Sequence, residues 1–63
     1  MNFKLKEQII KKYGSQADFC FSVKEHEAVV SRVVRGRYDL PADKKEKWAR
    51  ALGCKVEEVF GDD

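Results

Sequence analysis

The stretch from Gln16 to Arg37, QADFCFSVKEHEAVVSRVVRGR, decides how this chain folds. It holds two helical apolar patterns separated by a charged break. Phe19, Cys20 and Val23 stand at i, i+1 and i+4, and Val30, Val33 and Val34 at i, i+3 and i+4, so each segment has one face to bury. The break at Lys24 and Glu25 leaves almost no connecting chain. Helices coupled so closely must cross at a steep angle, as in a helix-turn-helix unit. The second of them carries Ser31, Arg32 and Arg35 near its outer side and runs into Gly36 and Arg37.

Two rival readings of this stretch stay open. A tight interhelical turn often uses Gly for its positive φ, and Lys24-Glu25 stands there instead. With no Gly, Pro or strong cap between Val23 and Glu27, one continuous helix from Ser15 to Arg35 is conceivable. It would carry the phase of Phe19 and Val23 into the valines and bury Glu27, which the charge disfavours. The valines at 29, 30, 33 and 34 are β-branched and individually poor helix formers, which raises a strand as the second rival. Period-2 alternation is missing, however, and the interposed Ser31-Arg32 pair fits a helix with one wet side.

Upstream, Leu5, Ile9 and Tyr13 repeat at i, i+4 and i+8, with Phe3 and Ile10 expected to flank the same stripe. Lys11 and Lys12 fall in the last turn, where cations favour the helix dipole, and Gly14 stops the helix. A basic amphipathic helix can also lie on a membrane, but one apolar stripe on a short helix is what any small bundle needs. Ser15 is a good N-cap for the next helix, and Asp18 completes a weak capping box. Gln16 then lies in the first turn, where its amide is placed to bond a phosphate oxygen. Phe21 lies off the apolar stripe.

Downstream, Gly36 ends the valine-rich helix and Arg37-Tyr38-Asp39-Leu40-Pro41 connects to a fourth. Its Pro forces an extended residue at position 40 and suits a helix start. Arg37 and Tyr38 are read as surface loop, and Leu40 as a core plug. In the fourth helix Trp48, Ala51 and Leu52 are expected inward, with Lys44, Lys45, Lys47 and Arg50 outward. Gly53 terminates it, and Val56, Val59 and Phe60 define a last short helix with Glu57 and Glu58 near its positive end. The closing Gly-Asp-Asp is expected to fray. The sequence therefore predicts one all-α domain over residues 1–63, a bundle of four to five short helices near 3–13, 15–23, 26–35, 42–52 and 56–60, with a helix-turn-helix at helices two and three.

Size and charge narrow the function. Sixty-three residues leave no room for a second domain or for an enclosed catalytic cleft of ordinary volume. The formal charge of +2 does not by itself argue for nucleic acid, although between Lys24 and Arg50 eight basic residues face five acidic ones. Cys20 and Cys54 lack the spaced Cys/His partners of a zinc site and are read as buried free thiols, with a disulfide as the minority alternative. No apolar run approaches transmembrane length, and no signal-like apolar segment follows the start, so the expectation is a cytoplasmic protein without a membrane partner. With one His, no carboxylates at site spacing and no Gly-rich phosphate loop, an enzyme is disfavoured, and nothing calls for a cofactor, metal or small-molecule ligand.

From Leu5 to Phe60 the order and spacing of elements resembles the lambda-repressor-like, Cro and XRE class of helix-turn-helix proteins. The likeness is carried by Ser15-Gln16, Val30-Ser31-Arg32-Val33, Arg35-Gly36-Arg37 and, most specifically, the run from Ala49 to Phe60, ARALGCKVEEVF. Tyr38-Asp39-Leu40-Pro41 is similar to the connector of small phage Cro-type proteins. Four features depart from the pattern: Lys24 at the turn glycine, Glu25 at the following apolar position, Cys20 at the alanine of helix two, and Lys45-Glu46 at apolar positions of helix four.

The resemblance implies a transcriptional regulator, of repressor type, binding a double-stranded DNA operator as a homodimer with helix three in the major groove. It further implies that His26, Glu27, Ala28 and Arg32 face bases, that Gln16, Arg35 and Arg37 hold phosphates, and that Val56 and Phe60 of the last helix lie at the dimer surface. Arg32 has the strongest chemical case, since its planar fork can bond guanine O6 and N7 together. Glu27 can accept from cytosine N4 or simply be a solvated acid, and Ala28 or Val29 can pack on a thymine methyl. The competing function is a helical protein-interaction module, antirepressor-like, that keeps the scaffold without the DNA contact; Glu25 and Glu27 beside the groove are its support.

Overall fold

In the computed structural model, which describes residues 1–61, five helices follow one another: α1 Phe3–Tyr13, α2 Gln16–Val23, α3 Glu27–Val34, α4 Ala42–Leu52 and α5 Val56–Phe60. No strand forms among the described residues. The valine-rich segment is helical because Val30, Val33 and Val34 reach the core together, and that burial outweighs their weak helix propensity. Both α2 and α3 are one residue shorter at the start than the pattern suggested, with Ser15 and His26 as N-caps, and α3 also ends one residue early at Val34.

The unbroken-helix rival is excluded. Lys24 takes a left-handed conformation (φ 60°, ψ 48°) and ends α2, and the chain stays non-helical until Glu27. The N–H groups of Lys24 and Glu25 both donate to the Cys20 carbonyl, the latter at 3.0 Å, closing the helix end as glycine does elsewhere. A lysine therefore performs the turn's usual glycine task.

The core joins all five helices and the connector: Leu5 and Ile9 from α1, Phe19, Cys20 and Val23 from α2, the three valines of α3, Leu40, Trp48, Ala49 and Leu52 from α4, and Val59 from α5. At its centre Phe19 meets Trp48 edge-on, with centroids 5.4 Å apart, and Tyr13 meets Phe19 likewise at 5.3 Å. Tyr13 also donates to the Ala51 carbonyl of α4 at 3.0 Å and lies 3.1 Å from Ser22 Oγ, so its tip links three helices. The Trp48 indole N–H is buried without an acceptor among the described residues, a local cost of about 1–3 kcal/mol set against those ring contacts.

Several orientations differ from the sequence reading. Phe3 and Ile10 are exposed, because at 100° per residue they lie well round the helix from Leu5 and Ile9. Ala49 is buried and Ala51 only half-buried, because α4 is covered by α1, α2 and α5 at once and buries a broad stripe. Lys44 and Lys45 are half-buried: Lys44 pairs with Glu25, and Lys45 lies over the Phe60 ring, 5.8 Å from its centroid. Both cysteines are free, Cys20 buried and Cys54 half-buried, and burial pushes the Cys20 thiol above its ordinary value. Phe21 is 88 % exposed. The fraying expected at the end of the chain falls on residues 62–63, outside the described residues.

Asn2 ties three elements. Its Oδ1 accepts from the Leu5 N–H at 3.0 Å and caps α1, its Nδ2 donates to the Val59 carbonyl of α5 at 2.6 Å, and its backbone N–H donates to the Val34 carbonyl at the end of α3, also at 2.6 Å. Replacing Asn2 by Ala is expected to lower stability by about 1–2 kcal/mol in urea unfolding followed by Trp48 fluorescence. Lys24→Gly, which removes the steric cost of a left-handed side chain, is expected to raise stability by up to about 1 kcal/mol, and Lys24→Val to lower it by at least as much. No change in either Lys24 variant would mean that the turn is not strained.

Candidate nucleic-acid interface

The surface begins with how α3 is held. At its start, Glu25 points back to α4, where its carboxylate meets Lys44 Nζ at 2.9 Å with the Glu25 side chain only 14 % exposed. At its end, Gly36 adopts a left-handed conformation (φ 78°), and the Arg37 N–H donates to the Arg32 carbonyl at 2.8 Å. With the Val34 carbonyl bonded to Asn2, the rod is fixed at both ends and along its buried valine side.

What remains outward is a band. Ala28, Arg32 and Arg35 follow at i, i+4 and i+7, share one face and are exposed. Glu27, also exposed, stands a step round the helix, and Ser31 beside it is half-buried. Val29 is half-buried against the core, so Ala28 is the more exposed of the two small apolar side chains at the start of α3. His26 is the exposed N-cap, its backbone extended (ψ 146°) and its ring making no cap bond to the first N–H groups of α3. Glu27 in that first turn complements the positive end of the helix dipole.

Arg37 is exposed just past the end of α3, with exposed Tyr38 beside it. Six of the seven expected contact residues thus lie on α3 or at its two ends. Gln16 is the seventh and is set apart: it opens α2, half-buried, about 12 Å along that helix from the turn. No ion pair holds Arg32, Arg35 or Arg37 among the described residues, so the band carries three free guanidinium groups against the single carboxylate of Glu27.

Sequence reading missed two residues that shape this surface, Asn2 and Lys44. Asn2 had a signal, an N-cap residue type directly before an apolar stripe. Lys44 had none, because its partner lies nineteen positions away in the chain.

No family model, curated protein or solved structure matches the chain. No described helix is long and apolar enough to cross a membrane.

The Glu25 contact raises the Lys44 pKa above the ordinary 10.5, first by the hydrogen bond and then by the opposite charge. A raised lysine pKa stabilises the fold at every pH below the unfolded value, and the gain is lost as pH rises through the folded one. Glu25→Gln is therefore expected to melt lower than the parent chain at neutral pH, with the gap closing above the ordinary lysine value. A gap unchanged across that range would show that the pair does not anchor the turn.

Proposed function

We propose that this chain is a sequence-specific DNA-binding regulator of transcription that reads the major groove with α3, in the manner of the small Cro-type and XRE-type repressors it resembles, and that two copies bind a two-fold operator. The observation that carries the reading is α3 itself, buried along Val30, Val33 and Val34, with the Ala28, Arg32 and Arg35 face exposed and its arginines in no ion pair among the described residues. In this reading Arg32 bonds a guanine edge, Ala28 packs on a thymine methyl, and Glu27 accepts from a cytosine or screens the wrong base. Arg35 and Arg37 hold phosphates on either side of the end of α3, His26 lies at the groove mouth, and Gln16 meets the backbone from the start of α2.

The competing protein-interaction reading leaned on Glu25 and Glu27 as acids facing the groove. Glu25 instead turns to Lys44, which cancels its charge, and only Glu27 remains outward. The balance moves towards DNA.

Selection of bound sites from a random duplex pool, followed by anisotropy titrations over a range of salt, tests the proposal. Arg32→Ala is expected to weaken the selected site by about 1–3 kcal/mol and to relax one base position. Arg35→Ala and Arg37→Ala are expected to weaken all duplexes evenly and each to flatten the salt dependence by about one unit of slope. A chain that retains no genomic DNA at low salt, or an Arg32→Ala variant with unchanged affinity and base preference, sinks the reading.

A further inference from the structure

We propose that Asn2 is a positioning residue for base reading: it sets the direction of α3 through the last carbonyl of that helix, an assignment that rests on the reading of α3 given above. The backbone of α3 runs close to α2 and α1 and not to α4 or α5. Apart from its own end turns, one hydrogen bond joins α3 to another element among the described residues, from the Asn2 N–H to the Val34 carbonyl at 2.6 Å. No ion pair holds α3 itself among those residues. What remains is the apolar packing of Val30, Val33 and Val34 with Val29 beside them, and apolar burial is not directional. The Asn2 bond is directional, and it acts at the end of the rod that carries the arginines.

Asn2 is fixed in turn by its own side chain. Its Oδ1 accepts from the Leu5 N–H of α1 at 3.0 Å, and its Nδ2 donates to the Val59 carbonyl of α5 at 2.6 Å. The Asn2 carbonyl also accepts from the Lys6 N–H at 3.2 Å, so residue 2 stays joined to α1 whatever its side chain. The carboxamide nitrogen adds α5. Ser or Asp would cap α1 as well, but only a carboxamide supplies the acceptor for the cap and a donor beside it. Asn2 thus links the end of α3 to α5, a helix that α3 does not approach.

Length turns this tie into recognition. The eight residues of α3 span about 12 Å. A shift of about 1 Å at Val34, pivoting at Glu27, carries Arg32 by about 0.7 Å. A preorganised contact tolerates roughly 0.5 Å, so the paired bonds of one guanidinium to a guanine edge suffer first. Arg35 and Arg37, holding phosphates, depend on charge more than on angle.

The test compares affinity for the selected duplex with affinity for a random duplex, at one salt concentration, in the parent chain, Asn2→Asp, Asn2→Ser and Tyr13→Phe. Asp and Ser keep an oxygen for the α1 cap, but Asp has no donor and Ser is too short to reach Val59. Tyr13→Phe removes the hydroxyl bonded to the Ala51 carbonyl and weakens the bundle without touching α3. An unfolded fraction scales every dissociation constant alike, so lost stability alone leaves the ratio of the two affinities unchanged. Both Asn2 variants are expected to lower that ratio about threefold or more, and Tyr13→Phe to keep it. In the free chain, amide residual dipolar couplings should show α3 leaving the frame shared by α2 and α4 in the two Asn2 variants only. The parental ratio in either Asn2 variant, an equal loss in Tyr13→Phe, or α3 couplings that still fit the parental frame would overturn the proposal and leave the DNA reading standing. A parent chain that selects no site would sink both.

Discussion

The left-handed residue at Lys24 is the constraint on which the rest depends. Without it α2 would run straight on, and the valines of α3 could not fold back to meet the α1, α2 and α4 side chains around Phe19 and Trp48. A non-glycine residue in this conformation costs roughly 1–2 kcal/mol and persists only where its surroundings over-determine it. Here they do. Cys20 offers one carbonyl to two successive N–H groups, Lys44 pulls Glu25 towards α4, and buried apolar residues lie directly on both sides, Val23 before the turn and Val30 after it. The strain is local, while the burial it permits is spread over the whole core.

The same logic explains why α3 tolerates a composition that would not be helical alone. Three of its eight residues are buried valines whose branched side chains lose rotamer freedom in a helix, so its stability comes from outside it. One end is set by the Lys24 turn, the other by the Gly36 turn and the Asn2 bond to Val34. A helix clamped in this way leaves its outer residues free of structural duty. Ala28, Arg32 and Arg35 contribute nothing to the core and can vary with whatever the surface meets.

This division also marks what the sequence made legible. Periodicity located all five helices to within a residue or two, because a buried stripe repeats locally and Gly14, Gly36 and Gly53 punctuate it. The wet side of α3 followed from the same stripe, being its complement. The misreadings were of another kind. Phe3 and Ile10 are expected to flank the buried stripe, although helical phase turns them well away from it. Lys45 is expected outward on charge, although the Phe60 ring, distant in sequence, draws it in, and Lys44, its side chain still 44 % exposed, is engaged by Glu25. Glu25 itself, an acid in the turn before α3, is understood only once its partner on α4 is known. Contacts between elements are not periodic, so pattern reading cannot find them.

The weak overall charge bears on how the proposed recognition would work. A net charge of +2 gives little general attraction to a polyanion, and the α3 band adds three arginines to one acid per chain. Each phosphate neutralised contributes a salt slope of about 0.9, so a single copy holding two phosphates gains little from counterion release. Two consequences follow for the DNA reading. Base contacts must supply an unusually large share of the affinity, which places weight on Arg32. A second copy must also bind alongside the first, because doubling the arginines and the base contacts is the available route from a weak general attraction to a specific complex.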